Sequence, residues 1–374
     1  MACEARNQLV WAYLMMDSLP VALAEAGRWT MADPQSALAW ERLAYTRLVS
    51  GDVEAGRVAY RRAAEIDPTL SGSPFFYAYY YMAPGDYATA DRALREIAQS
   101  GTAEWRREAE WYLTISLRRQ GQYHEALARA RSFRAAMEAE SAEGYGSYAH
   151  LEAQVLFELG RYRSAAALFD SIAGIRLSGF DSRSHDARQR AWALTHAANA
   201  LAAAGDTARL ARLIDTIRVV GARSLLARDQ RLHHHARGLL LVARGDDAGA
   251  VEEFRRSIVS LGAGYTRTNY ELANALLRLG RPREAVAVLQ PAINQSIEGS
   301  GLYVTQPELE AQLAKAWDAA GVRDSAVAHY HQVLNAWRNP DPELRERVAE
   351  VQRRLIAHPA PAARARGGPA LPPR

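Results

Sequence analysis

GDVEAGRVAYRRAAEIDP, Gly51 to Pro68, carries the pattern that decides the fold. Within it Gly56 stands four residues before Tyr60, Ala63 follows Tyr60 by three, and Pro68 closes the run five residues later. Taken alone, this is an amphipathic helix ended by a proline, which cannot continue one. Taken as half of a recurring unit, it predicts copies, and the copies are there. With Gly51 as the turn between ALAWERLAYTRLVS and the quoted run, matching glycines stand at Gly85, Gly121, Gly160, Gly205, Gly245, Gly280 and Gly321, spaced by 34 to 45 residues. Helix-turn-helix content at such a period marks an α-solenoid, in which each pair buries its open apolar face against the next.

The side chains repeat with the glycines. The small residue of the second helix recurs as Ala90, Ala126, Ala165, Ala250, Ala285 and Ala326, and a bulky one four later as Leu94, Phe169, Phe254, Leu289 and Tyr330. The sixth unit departs from this, with Leu210 and Ile214 in those places. A unit ahead of Gly51 is carried by Leu9, Tyr13, Ala22, Trp29 and Pro34, with Asp17 in place of the glycine. In the second unit Trp40, Leu43, Ala44, Gly51, Gly56, Tyr60, Ala63 and Pro68 follow the pattern W-x2-L-G-x2-Y, turn glycine, A-x3-F-x2-A, P. Over nearly its whole length the chain resembles the tetratricopeptide repeat family, with about nine units. The resemblance implies an all-α, right-handed solenoid. Small residues such as Ala44 and Ala55 or Gly56 let paired helices approach closely, Tyr60 fills space towards the next unit, and Gly51 takes the positive φ that ends the first helix.

Two long intervals divide the array. GIRLSGFDSRSHD, Gly174 to Asp186, reads as a loop and separates an N-terminal sub-array, 1–179, from a C-terminal one, 180–358; EGSGLYVTQP, Glu298 to Pro307, is a second loop. DPELRERVAEVQRRLIA, Asp341 to Ala357, is an amphipathic helix whose Val348, Val351 and Leu355 are expected to cap the last repeat. The tail, 359–374, is rich in Pro, Ala, Gly and Arg and is expected to be disordered. The first unit has no equivalent cap, which points to a missing upstream domain, a covering partner or self-association there.

Composition excludes several classes. The net charge is +4, and Arg364, Arg366 and Arg374 of the tail supply three of those charges, so the folded part is not a nucleic-acid surface. No apolar run approaches the roughly 20 residues of a membrane-spanning helix. LVWAYLMM, Leu9 to Met16, is too short and too poorly flanked by basic residues for a secretory signal. The single cysteine, Cys3, forms no internal disulfide, and a cytoplasmic location is expected. The one lysine, Lys315, follows Ala and not Gly, so there is no Walker loop. HEALA at His124 would be a zincin helix only with His at 128, where Ala stands. His233, His234 and His235 lie about 100° apart around a helix and cannot chelate one ion together. No catalytic, cofactor-binding or metal-ligating set emerges, and an enzyme is not expected.

The remaining expectation is binding of another protein. In tetratricopeptide arrays the first helix of each pair lines a concave groove. Positions taken from the turn glycine put Trp11, Tyr45, Tyr79, Ile115, Gln154, Asn199, Leu239, Asn274 and Lys315 in one row, and Phe75, Trp111, His150 and Tyr270 in another. The candidate partner-binding residues are Trp11, Tyr45, Phe75, Tyr79 and Trp111 as an aromatic lining, Asn199, and an α-helical face of Arg267, Tyr270, Asn274 and Arg278. Such a lining suits a peptide or helix with apolar anchors and an acidic group. The same aromatics could equally pack between neighbouring first helices. The closing block, AVAHYHQVLNAWRNPDPELRERVAEVQRRLIA, resembles the end of repeat arrays attached to bacterial serine/threonine kinases and transcriptional activators. That resemblance offers the alternative of a sensory or regulatory region of a larger signalling protein, its effector domain upstream or on a separate chain.

Overall fold

The computed structural model describes residues 2–16, 18–139, 145–175, 183–262, 265–293 and 304–357. Asp17, most of the 174–186 loop, most of the 298–307 loop and the tail lie outside them. Every described regular element is helical. The helices run as antiparallel pairs: α1 (Ala2–Met15) with α2 (Leu19–Ala32), α3 (Ala37–Val49) with α4 (Val53–Ile66), and α5 (Pro74–Tyr77) with α6 (Tyr87–Ser100). Then follow α7 (Ala103–Arg119) with α8 (Tyr123–Ala139), α9 (Tyr145–Glu158) with α10 (Tyr162–Ala173), and α11 (Arg183–Ala203) with α12 (Thr207–Gly221). After a short α13 (Ala227–Gln230) come α14 (Leu232–Ala243) with α15 (Asp247–Ser257), α16 (Thr266–Arg278) with α17 (Pro282–Ile293), α18 (Gln306–Ala319) with α19 (Arg323–Ala336), and the lone α20 (Arg345–Ala357).

One turn builds these hairpins. Gly51, Gly85, Gly121, Gly160, Gly205, Gly245, Gly280 and Gly321 all have φ between 70° and 96°. At each, the glycine N–H bonds the carbonyl three residues back and the next N–H reaches the carbonyl five back, as in Gly51 to Leu48 and Asp52 to Arg47. This is the Schellman arrangement, and it satisfies carbonyls that a helix end otherwise leaves open. At four turns the residue after the glycine is an Asp that caps the second helix: Asp52 accepts from Ala55, Asp86 from Thr89, Asp206 from Arg209 and Asp246 from Gly249.

The expected packing follows. Ala90, Ala126, Ala165, Ala250, Ala285 and Ala326 are fully buried, as are Leu94, Phe254, Leu289 and Tyr330. Leu210 and Ile214 are buried too, so the atypical sixth unit packs like the rest. A Cβ on Gly56 would meet the Ala44 carbonyl oxygen and Tyr80 at 3.1 Å, which is why a small residue stands at that crossing. Val351 is buried, and Val348 and Leu355 pack on the core, so α20 caps the last hairpin. The third hairpin is irregular. α5 passes into a π-helical turn, Ala78–Met82, and Arg57 of α4 donates from Nε to the Tyr80 carbonyl at 2.9 Å. A π turn is an insertion into the helix ladder.

The array also closes on itself. Asn335 of α19 donates to the Gly85 carbonyl at 3.1 Å, 250 residues away in sequence. The Asp341 N–H bonds the Gly121 carbonyl at 2.9 Å, and the His124 N–H bonds Asp341 Oδ2 at 2.8 Å. The turns of the third and fourth hairpins thus receive the C-terminal hairpin and the segment after it. Gly121 carries two demands, with φ of 72° and a virtual Cβ only 2.3 Å from Leu344 Cδ1 and 3.3 Å from Pro340. Gly205 carries only the first, because nothing lies within 4 Å of its virtual Cβ. We therefore expect Gly205→Ala to cost about 1 kcal/mol and Gly121→Ala about 3 kcal/mol, the left-handed backbone plus overpacking against a buried leucine. Urea unfolding of the two variants side by side checks this, and equal losses would mean that the seam contributes nothing at Gly121.

Candidate functional site

The first helices of the N-terminal hairpins carry a connected aromatic ladder. Trp11 of α1 lies 5.2 Å from Tyr45 of α3 between ring centroids. Tyr45 lies 5.9 Å from Tyr79, Tyr79 stacks on Phe75 at 4.2 Å, and Tyr112 of α7 meets Tyr79 edge-on at 6.3 Å. These separations are those of favourable aromatic pairs. Tyr45 and Tyr79 are buried, whereas Trp11, Phe75 and Trp111 are only partly so. The Arg42 guanidinium lies 4.5 Å over the Trp11 ring, and its Nε donates to Asn7 Oδ1. The structure thus brings Trp11, Tyr45, Phe75 and Tyr79 together, with Trp111 beside Tyr112. The tyrosines at 45 and 79 are buried, and the other three rings remain partly exposed.

On the C-terminal side the candidate residues already have partners within the molecule. Arg267 is buried, with its guanidinium 5.0 Å over Phe157 of α9 and 5.3 Å over Tyr270. Asn274 donates to Glu271 and accepts from Gln312 of α18. Arg278 grips Asp247 of α15 through Nε and Nη2. Asn199 donates to Tyr265 Oη at 3.0 Å and accepts from His235 Nε2 at 3.0 Å. Sequence reasoning missed the charges among which these residues sit. Arg118 and Glu158 form a bidentate pair with 0% and 2% of their side chains exposed. Burial pushes the Glu158 carboxyl up and Arg118 draws it back. Glu308 caps α18 through Thr305 and accepts from Arg347 of α20.

A row of histidines crosses this interior. His150 lies 5.1 Å from His196, His196 lies 5.5 Å from Tyr265, and His235 lies 5.1 Å from Tyr265. Asn199 Oδ1 only accepts, so His235 Nε2 carries the proton and Nδ1 accepts from Thr268 Oγ1 at 3.0 Å. Burial lowers His150 to about 4, and burial with Arg267 nearby lowers His235 to about 3. Burial, then His150, lowers His196 as well. The triple-histidine tract splits as helix geometry demands: His235 points inward, His234 meets Glu253 at 2.8 Å, and His233 lies 3.1 Å from the Gln230 carbonyl. The tract was the visible sign of this row, but only the fold shows which member is inside.

Helical hairpins joined by left-handed glycine turns, with a small residue facing a bulky one, make this molecule a tetratricopeptide-like α-solenoid. No family model matches the chain, and no curated protein matches it. Among solved structures the chain is similar to the tetratricopeptide domain of P58(IPK), at 15% identity over 96% of this chain and 99% of that one, with a TM-score of 0.25. It is similar to a tetratricopeptide repeat protein from Parabacteroides merdae, at 16% identity over 76% and 97%, with a TM-score of 0.40. It is also similar to the TPR-like repeats of a putative kinesin light chain from Podosopora anserina, at 20% identity over 50% and 92%, with a TM-score of 0.32. No helix among the described residues is long and apolar enough to cross a membrane.

Two outcomes follow from the interior. The three histidines are neutral when folded, while in the unfolded chain each takes a proton near its ordinary value of 6.5. Unfolding therefore binds protons below that pH. Their contribution is complete above about pH 6.5 and is lost as the pH falls towards about 4. Thermal scans across that window are expected to show a falling Tm, with a shallower slope in His235→Gln. Glu158→Gln leaves the Arg118 charge buried without its counter-ion, at an expected cost of about 3 kcal/mol in urea unfolding.

Proposed function

We propose that the protein is a non-enzymatic interaction scaffold that holds an extended or helical segment of a partner protein along α1, α3, α5 and α7. One observation carries this reading: Trp11, Phe75 and Trp111 stay only partly buried while Tyr45 and Tyr79, in ring contact with Trp11 and Phe75, are buried. Partly exposed aromatic rings held against buried ones suit interface anchors, because little side-chain freedom is lost on binding. The π turn at Ala78–Met82 falls inside the ladder, and such turns are often found at functional sites. Arg42 beside Trp11 adds a cation at one end of the run, suited to an acidic residue next to an apolar anchor. The charged row from Arg267 to Arg278 is given a structural role in this reading, since its members already face Phe157, Glu271, Gln312 and Asp247.

The test is selection of peptides from a random displayed library by the intact protein, followed by titration of a selected peptide. Peptides with spaced aromatic or aliphatic anchors are expected. The variant Trp11→Ala/Phe75→Ala/Trp111→Ala, checked for helicity by circular dichroism, is expected to weaken them by about 30-fold or more, the loss of about one hot spot. A folded triple variant that binds the same peptides with unchanged affinity would sink the proposal.

A further inference from the structure

We infer that His124, Asp341 and Glu343 form a site for a divalent transition-metal ion, Zn²⁺ by chemistry, that pins the closure of the array. His124 lies in the first turn of α8, just past the Gly121 turn, whereas Asp341 and Glu343 lie on the turn that precedes α20. Their ligand atoms all fall within 4.8 Å of one another. His124 Nε2 stands 3.0 Å from Glu343 Oε1. Two donors on a tetrahedral zinc with bonds of about 2.0–2.1 Å stand about 3.3 Å apart, so an ion enters with a shift of a few tenths of an ångström.

The backbone holds the site in place. Asp341 donates its N–H to the Gly121 carbonyl and accepts the His124 N–H on Oδ2, so the carboxylate is fixed beside the imidazole before any ion arrives. That uses one carboxylate oxygen and leaves Oδ1 for the metal. One imidazole and two carboxylates are a zinc-type donor set, because imidazole disfavours calcium and magnesium. Half of the His124 side chain is exposed, which admits the ion and lets water complete its shell. The site joins segments 217 and 219 residues apart, so occupancy stabilises the closed array by mass action.

The experiment uses the full chain, treated with chelator and titrated with zinc chloride by calorimetry and by thermal scans. Saturation at one equivalent is expected, with Tm raised by about 3 °C at a hundredfold excess over Kd. His124→Ala and Glu343→Gln, both at exposed positions, are each expected to lose the zinc response while keeping the helicity and metal-free Tm of the parent. Cobalt substitution reads the site directly through its visible absorption bands, which these variants would lose. Zinc that leaves the parent Tm unchanged overturns the proposal and reduces the trio to a hydrogen-bonded latch. A response that survives in both variants also overturns it, by placing the ion at other histidines.

Discussion

Each of the eight glycine-turned hairpins turns on a left-handed residue that only glycine adopts without strain. The two hydrogen bonds across that residue fix where the second helix starts, and so fix which of its side chains meet the first. A small residue then sits at the crossing and a bulky one reaches the next pair. Gly56 between Ala44 and Tyr80 shows the tolerance, since no room exists there for a methyl group without movement of a backbone oxygen or a buried ring.

A solenoid built this way is ordinarily one-dimensional, each repeat touching only its neighbours. This one bends until its end meets its middle. Asn335 reaches Gly85, Asp341 reaches Gly121, and Arg267 of α16 lies over Phe157 of α9. The closure changes the energetics of everything inside it. Arg118, Glu158, Arg267 and Glu308 stand in a setting where desolvation is large and partners are obligatory. The histidine row is neutral for the same reason. The consequence is a division along the array, with Trp11, Phe75 and Trp111 of the N-terminal first helices only partly buried and the C-terminal candidates already paired within the molecule.

That division was only half legible in the sequence. The aromatic row emerged from counting positions relative to the turn glycines, and its members do lie side by side. The count could not tell that Tyr45 and Tyr79 are buried while Trp11 and Phe75 stay partly exposed, because that depends on the tilt between successive first helices. The same count put Asn199 and Arg267 in the groove row without revealing what would face them. His124 surfaced only as part of HEALA, a failed zincin pattern. Its neighbours in space, Asp341 and Glu343, are more than two hundred residues away, and no local pattern links them.

Local physics determined the fold. Glycine φ, Asp caps, the proline stops and the alternation of small and bulky residues act within a few turns of helix, so their period could be read directly from the chain. The curvature that accumulates over nine hairpins is another matter. A small rotation per repeat, summed over the array, decides whether its end meets its middle, and that sum depends on helix lengths and crossing angles that no single repeat displays. Hence hairpin number, pairing and the terminal cap belong to the sequence by itself. The seam at Gly121, the buried charges and which of the aromatics are buried were decided only by the tertiary structure.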